Sequence, residues 1–463
     1  MEEPKTRIAE SVDNYLKTSG THFGKYDPLL FLLSFERGPL HSPASFMMLR
    51  QADRFSPDYV QHALNTAGYY HEYRHVWDVF TTLNCLHHAL EAVKLNREFS
   101  DLVISFSQKG KQIGLPLISR SDPELRNHIQ KAKRQTLLEV VSNGFSRLEN
   151  PALFARLSTH PEEFFPEDTA LPAVEECVLG ARPILETLGQ LWGVSALTFD
   201  PELVNTLMER IWWGKETFRE SWPYVLILSR FKNALREVGD KVEYGGTIAI
   251  LDLALQSETE HPGVRLLKIL GAIKNEQIGP FPNPTQFQED LCEKLGWETP
   301  RAALSKFLAK LENETQKPSD HYGTIFLNDA AEAIRLRLSQ PDTVFKPSIW
   351  EEGLLSAGIQ RILIEMPSFY AQERIQVLYA NPSPRTKSYL EYVIIDHVRR
   401  QSYYERRIRC PWAEKSHPVN AQPYDCSEKK LTRCSVSSSG SGRTECLFFD
   451  ICEHLGFYTP AAT

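Results

Sequence analysis

The 463-residue chain has the pattern of a helix-rich α/β protein, with a parallel sheet split by a large helical insertion. Three observations predict this class. Tyr26-Asp-Pro-Leu-Leu-Phe-Leu-Leu-Ser34 carries a continuous apolar run bounded by the turn residues Gly38-Pro39, which fits a strand buried on both faces, the habit of parallel sheets. Residues 150–320 are mostly helical in period and show no repeat. Residues 321–400 then alternate short apolar runs with helical segments, as sheet-and-helix folds do.

Taken in order, residues 1–24 have the polarity of a short helix and a Gly-containing loop. From Ser56 to Leu95 the pattern is helical and rich in His and aromatic residues, and Asp101-Leu-Val-Ile-Ser-Phe-Ser107 reads as a second strand. Ser121 with Glu124 makes a capping box, with Pro123 in the first turn, so a helix opens there and runs to about residue 147. Pro-rich joints near Leu171-Pro172 and Gly279-Pro-Phe-Pro-Asn-Pro284 divide the helical block, within which Tyr244–Leu251 fits either a strand or a helix. Ile325-Phe-Leu is strand-like, Asp329–Leu338 and Ser348–Glu365 are helical, Gln376–Tyr379 is strand-like, and Leu390–Arg409 is helical. Past Cys410, Ser435–Gly442 is of low complexity. The expected division is 1–149 and 321–410 as two parts of one sheet-bearing domain, 150–320 as the insertion, and 411–463 as a Cys-containing tail.

Composition narrows the function classes. The hydrophobic share of 42% and charged share of 24% are those of an ordinary globular protein. A net charge of −7 excludes a generally basic nucleic-acid coat but permits local basic patches. The charged N-terminus lacks the apolar core of a signal peptide and no run reaches the ~18 residues of a membrane span, so a cytoplasmic protein is expected. Five of the eight cysteines (Cys410, Cys426, Cys434, Cys446 and Cys452) fall near His417 and His454, yet none forms a C-x-x-C pair, so free thiols are expected there, with a metal site as the alternative.

Four features carry candidate chemistry. The stretch Gly358–Tyr370 reads as a helix that ends on Glu365 and is stopped by Pro367. A carboxylate in the last turn faces the negative end of the helix dipole, which raises its pKa toward the range of proton transfer. Arg361, four residues earlier, offers the plainer alternative of a surface ion pair. Asp329 and Glu332 in Asn328-Asp-Ala-Ala-Glu332 fit a capping box, or a carboxylate pair at the C-terminal edge of a sheet. Ser34, at the end of the first apolar run, is placed as a nucleophile on a turn. Finally, Arg126, Lys131, Lys133 and Arg134 make one helix broadly positive, and Arg399-Arg400 lead into Tyr403-Tyr-Glu-Arg-Arg-Ile-Arg409, a mixture of arginine and tyrosine that suits RNA. No Gly-rich phosphate loop accompanies them, so an enzyme of this kind receives its substrate already activated.

Together these pieces resemble the cyclodipeptide synthases, which join two aminoacyl groups taken from charged tRNAs on a Rossmann-like fold. Ser34 matches the family serine after the first strand, the helix from Pro123 matches its basic helix, Glu365 with Pro367 matches its Glu-x-Pro motif, and Tyr379 matches the downstream tyrosine. Arg361 stands where the motif has tyrosine. The size and the Asn328-Asp-Ala-Ala-Glu332 run look more like the fungal arginine-containing group, whose motif is Asp-Asp-x-x-Glu; here Asn328 replaces the first aspartate. The resemblance covers residues 25–145 and 321–400. It implies a tRNA-dependent enzyme of secondary metabolism that condenses arginyl-tRNA with a second aminoacyl-tRNA into a diketopiperazine. Ser34 would be the nucleophile, Glu332 or Glu365 the proton shuttle, Asp329 the anchor of a cationic group, and Tyr379 a hydrogen-bonding guide. The expected partners are the aminoacyl-tRNAs and downstream tailoring enzymes, with no membrane, metal or cofactor. Two rivals remain: a Mg²⁺-dependent helical terpene-type cyclase, and a non-catalytic scaffold binding RNA or a partner.

Overall fold

The computed structural model describes residues 25–27, 32–35, 57–109, 115–119, 122–145, 150–160, 179–197, 200–207, 227, 245–276, 283–315, 323–345, 368–370, 384–405, 408, 451–452 and 454–457. Its helices are α1 (Pro57–Thr81), α2 (Leu83–Gln108), α3 (Pro123–Asn143), α4 (Pro151–Thr159), α5 (Ala181–Ser195), α6 (Pro201–Leu207), α7 (245–255), α8 (Pro262–Glu276), α9 (Pro284–Leu295), α10 (Pro300–Thr315), α11 (Thr324–Ser339) and α12 (Pro384–Tyr404). The strands are β1 (Lys25–Asp27), β2 (Leu32–Phe35) and β3 (Ser368–Tyr370).

The expected Rossmann-like parallel sheet is not seen; the described fold is helix-rich. Its three short strands form one mixed patch in which β1 runs antiparallel to β2 and β2 parallel to β3. Where one long buried strand was expected over Tyr26–Ser34, the described residues form two short strands, β1 and β2. The two other expected strands are helical: Asp101–Ser107 is the end of α2, and Ile325–Leu327 is the first turn of α11. Short apolar runs fit a buried strand and a buried helix equally, and here the run continues at helical spacing into Ala330, Ala331, Ala333 and Ile334. Gln376–Tyr379 lies outside the described residues.

Local signals place the helix starts well. Asp122, Asn150 and Asn283 each precede a proline and accept backbone N–H bonds from the first turn of α3, α4 and α9. In α3 the cap is therefore Asp122, whose Oδ1 accepts from Glu124 and Leu125 at 3.0 and 3.2 Å, one residue later than the expected Ser121. α9 ends on Gly296 in the left-handed region, φ 65°, the conformation a C-cap glycine adopts without strain.

The helices share one apolar core that runs from Tyr59 in α1 to Tyr403 in α12 and includes α5, α7, α8, α9 and α10. Phe80, Phe326 and Tyr392 stack across α1, α11 and α12, with centroids 5.2 and 5.9 Å apart. The most extensive helix pair is α1 with α5, although the two are separated by about 100 residues of sequence. Its close approach rests on Gly189 and Gly193 of α5: a Cβ at Gly193 would lie 2.3 Å from the Ala67 carbonyl oxygen, and one at Gly189 would lie 2.9 Å from the His71 ring. Rising numbers in α1 thus meet falling numbers in α5, and the helices are antiparallel.

Candidate functional site

The α1–α5 seam brings two histidines and a glutamate together. His71 and His75 are four residues apart on α1 and so project from one face. Glu186 comes from the first half of α5, one turn before Gly189. The Nε2 atoms of His71 and His75 are 3.1 Å apart, and Glu186 Oε2 lies 3.1 Å from the first and 3.4 Å from the second. The three side chains are 14%, 11% and 16% exposed, so the cluster is screened from bulk water but not sealed. Burial alone would raise the Glu186 pKa; the positive pull of His75 and hydrogen bonds from both histidines more than reverse that and hold the carboxyl far below its usual range. Among the described residues this is the group of His, Cys, Asp and Glu side chains dense enough to hold a metal ion. Sequence reasoning that expected a metal-free site also counted no H-E-x-x-H run, and in that it was wrong. The signal was present: His71-Glu-Tyr-Arg-His75 is an H-E-x-x-H run in a helical stretch.

The residue between the histidines on the same stripe, Arg74, fixes the rotation of α1. It is fully buried, with Nε 2.8 Å from Asp78 Oδ1, Nη1 2.6 Å from the Val344 carbonyl and the guanidinium 4.9 Å over the Trp192 ring. Asp252 of α7 accepts from Arg74 Nη2 at 3.5 Å, from Arg337 Nη1 at 3.2 Å and from Gln288 at 3.0 Å. Two buried arginines thus meet two buried aspartates, Asp78 and Asp252, which keeps the charge of the interior balanced.

The sequence-predicted site residues do not form one cluster in the described structure. Asp329 sits in the second turn of α11 and is 5% exposed, whereas Glu332 is exposed; neither is an N-cap, because α11 starts at Thr324 with Gly323 as its cap. The expected placement at a sheet edge fails for the same reason that Ile325–Leu327 is not a strand. Ser34 lies in β2, its Cα paired with that of Phe369 in β3. Glu365 and Tyr379 lie outside the described residues.

The basic candidates divide. Arg126, Lys131, Lys133 and Arg134 are all exposed on α3. Lys131 pairs with Glu98, and Lys133 stands 5.2 Å over the ring of Tyr404, which is 49% exposed. Arg399, by contrast, is 1% exposed and cannot reach a tRNA. Its Nη2 is 2.6 Å from Asp396, its Nε 2.7 Å from Asn96 Oδ1, and Nη1 3.5 Å from Tyr403 Oη, which is itself 2.7 Å from His128 Nε2. Arg400, half-buried, pairs with Asp396 at 2.7 Å and Glu139 at 3.5 Å. Asp396, three and four residues before the arginines, captures both; burial would raise its pKa, but the two guanidinium charges outweigh that and hold it below the ordinary carboxylate value. The thiols of Cys85 and Cys292 are pushed up by burial to about 12 and about 11, so neither is a nucleophile at neutral pH.

No helix among the described residues is long and apolar enough to cross a membrane. No family model, curated protein or solved structure matches the chain.

Proposed function

We propose that the chain is an aminoacyl-tRNA-dependent enzyme that condenses an arginyl group with a second aminoacyl group into a cyclic dipeptide. The observation that carries this is the α3 surface: four exposed cations on one helix beside the exposed ring of Tyr404. Cations for phosphate and an aromatic face for a base are what a protein presents to RNA. Two local features support the catalytic half. β2, which carries Ser34, pairs in parallel with β3, whose first residue, Ser368, follows Glu365 by three positions in the sequence. Glu332 is exposed on α11 and open to a substrate, with Asp329, three residues earlier, buried in the protein interior. The proposal stands on these local motifs without a Rossmann domain.

In the proposed reaction the Ser34 hydroxyl attacks the arginyl ester carbonyl, an ester bond to Ser34 forms, and the tRNA 3′ hydroxyl leaves with the serine proton. The amine of the second aminoacyl-tRNA then takes the arginyl group, and ring closure expels the second tRNA. Glu332 or Glu365 carries the protons. The terpene-type rival has less support, because Asp329 and Glu332 form no metal-holding group among the described residues. Mass spectrometry of cells that express the chain tests the proposal. An arginine-containing diketopiperazine is expected, and it should vanish in Ser34→Ala and in Glu332→Gln or Glu365→Gln. Absence of any new cyclic dipeptide from cells that hold the folded protein would refute it.

A further inference from the structure

We propose that His71, His75 and Glu186 form a binding site for one zinc-type divalent cation, with a fourth position left for an exchangeable ligand. This inference is independent of the tRNA-dependent reaction, since it rests on residues that the proposed reaction does not use.

The donor geometry carries it. Ligands about 2.0–2.1 Å from a tetrahedral zinc are about 3.3–3.4 Å from one another. The three donor atoms here are separated by 3.1, 3.1 and 3.4 Å. A point about 2.05 Å from all three lies about 0.9 Å out of their plane, against about 0.7 Å in a regular tetrahedron. The cation would therefore stand to one side of the triangle, with its remaining site directed away from the three ligands. An adequate hydrogen-bonded triad has no need of this shape. Two imidazole nitrogens and a carboxylate oxygen converge mutually, and a divalent cation satisfies all three at once.

The donor chemistry selects the class of ion. Two imidazoles with one carboxylate suit zinc and its borderline neighbours; calcium and magnesium take sets made of oxygen. Two histidines and a glutamate are also the ligand set of catalytic rather than closed structural zinc sites. A zinc-type cation held by these three ligands would polarise a water bound in its fourth position. Such a water has a pKa near 7, which makes hydrolysis the class of reaction this site would support.

The surrounding structure supplies the rigidity that a metal site requires. Gly189 lets the His71 ring lie against α5 with no side chain between, and Gly193 locks the register one turn further on. Arg74, held by Asp78, Asp252 and the Val344 carbonyl, keeps α1 from rotating.

The test uses the full chain, stripped with a chelator and reloaded with Zn²⁺ or Co²⁺ alone. Competition with a chromophoric chelator should give one tight zinc that His75→Ala and Glu186→Gln each weaken by more than ~100-fold, beyond the 10–100-fold that loss of a supporting partner costs. X-ray absorption should find nitrogen and oxygen neighbours without sulfur, which separates this site from one built on the C-terminal cysteines. The visible spectrum of the Co²⁺ form should shift on adding azide, the sign of an exchangeable fourth position. Zinc binding unchanged in both variants, with their circular dichroism intact, would overturn the assignment. So would sulfur in the coordination shell, or a Co²⁺ spectrum that azide leaves unaltered. A Glu186→Asp variant guards against misfolding: it retains the charge, and recovered zinc binding in it supports direct ligation.

Discussion

The α1–α5 seam makes a sharp demand on one glycine. In Gly193→Ala the new Cβ would stand 2.3 Å from the Ala67 carbonyl oxygen, 0.7 Å inside the 3.0 Å limit of real Cβ contacts, and 3.0 Å from the carbonyl carbon. Both partners are backbone, so no rotamer change relieves the clash and the helices must part. Overpacking of this kind costs about 3 kcal/mol at the upper end of its usual range. Alanine returns about 1 kcal/mol through helix propensity, leaving a net loss of about 2 kcal/mol. Gly271→Ala on α8 is the control: its Cβ would meet nothing within 4 Å, so only the propensity gain remains and the protein should be slightly stabilised. Urea unfolding followed by circular dichroism measures both. A Gly193→Ala protein as stable as the parent, alongside a stabilised Gly271→Ala, would refute the close antiparallel packing of α1 on α5.

Three further outcomes follow from the same structure. Asp252→Ala leaves Arg74 and Arg337 buried without their shared counter-charge, so unfolding free energy should fall by about 3–5 kcal/mol; a loss below 1 kcal/mol would mean the network is not formed. His88, His128 and His261 are each depressed to about 4, chiefly by burial. Because their folded pKa values lie below the unfolded ones, the unfolded chain binds more protons between about pH 6.5 and 4. Stability should be full above pH 6.5 and decline through that window by on the order of 1 kcal/mol per pH unit for each histidine. A flat urea midpoint from pH 7 to pH 5 would contradict this. Lys133→Glu with Arg134→Glu should weaken tRNA binding and lower the slope of log affinity against log salt by about 1–2, read by fluorescence anisotropy; an unchanged slope would remove α3 from the interface.

The sequence made some of this legible and concealed the rest for physical reasons. The start of α3 was readable to within one residue because the Asp122-Pro123 step acts locally, through a side-chain acceptor and a missing N–H. The exposed cations of α3 followed from the same helix. Ile325–Leu327 and Asp101–Ser107 misled because a short apolar run carries burial but not period, and core packing decided between strand and helix. Arg399 looked like a surface arginine because Asn96, which accepts from its Nε, lies 303 residues away in the sequence. The H-E-x-x-H run was plain in the sequence, but its third ligand was not: Glu186 lies 115 residues from His71 and is recruited only by the glycine-lined approach of α5.

The polar bonds that tie α12 to α2 and α3 also set a schedule for synthesis. Asn96 and His128 are buried against Arg399 and Tyr403, which follow them by 303 and 275 residues. At about 5–20 residues per second, a ribosome would need roughly 14–60 s to supply those partners after α2 and α3 emerge. Through that interval the inner faces of both helices stand without the groups that later cover them. Chaperone dependence during translation should therefore be strongest for nascent chains that have passed residue 145 but have not yet reached residue 405.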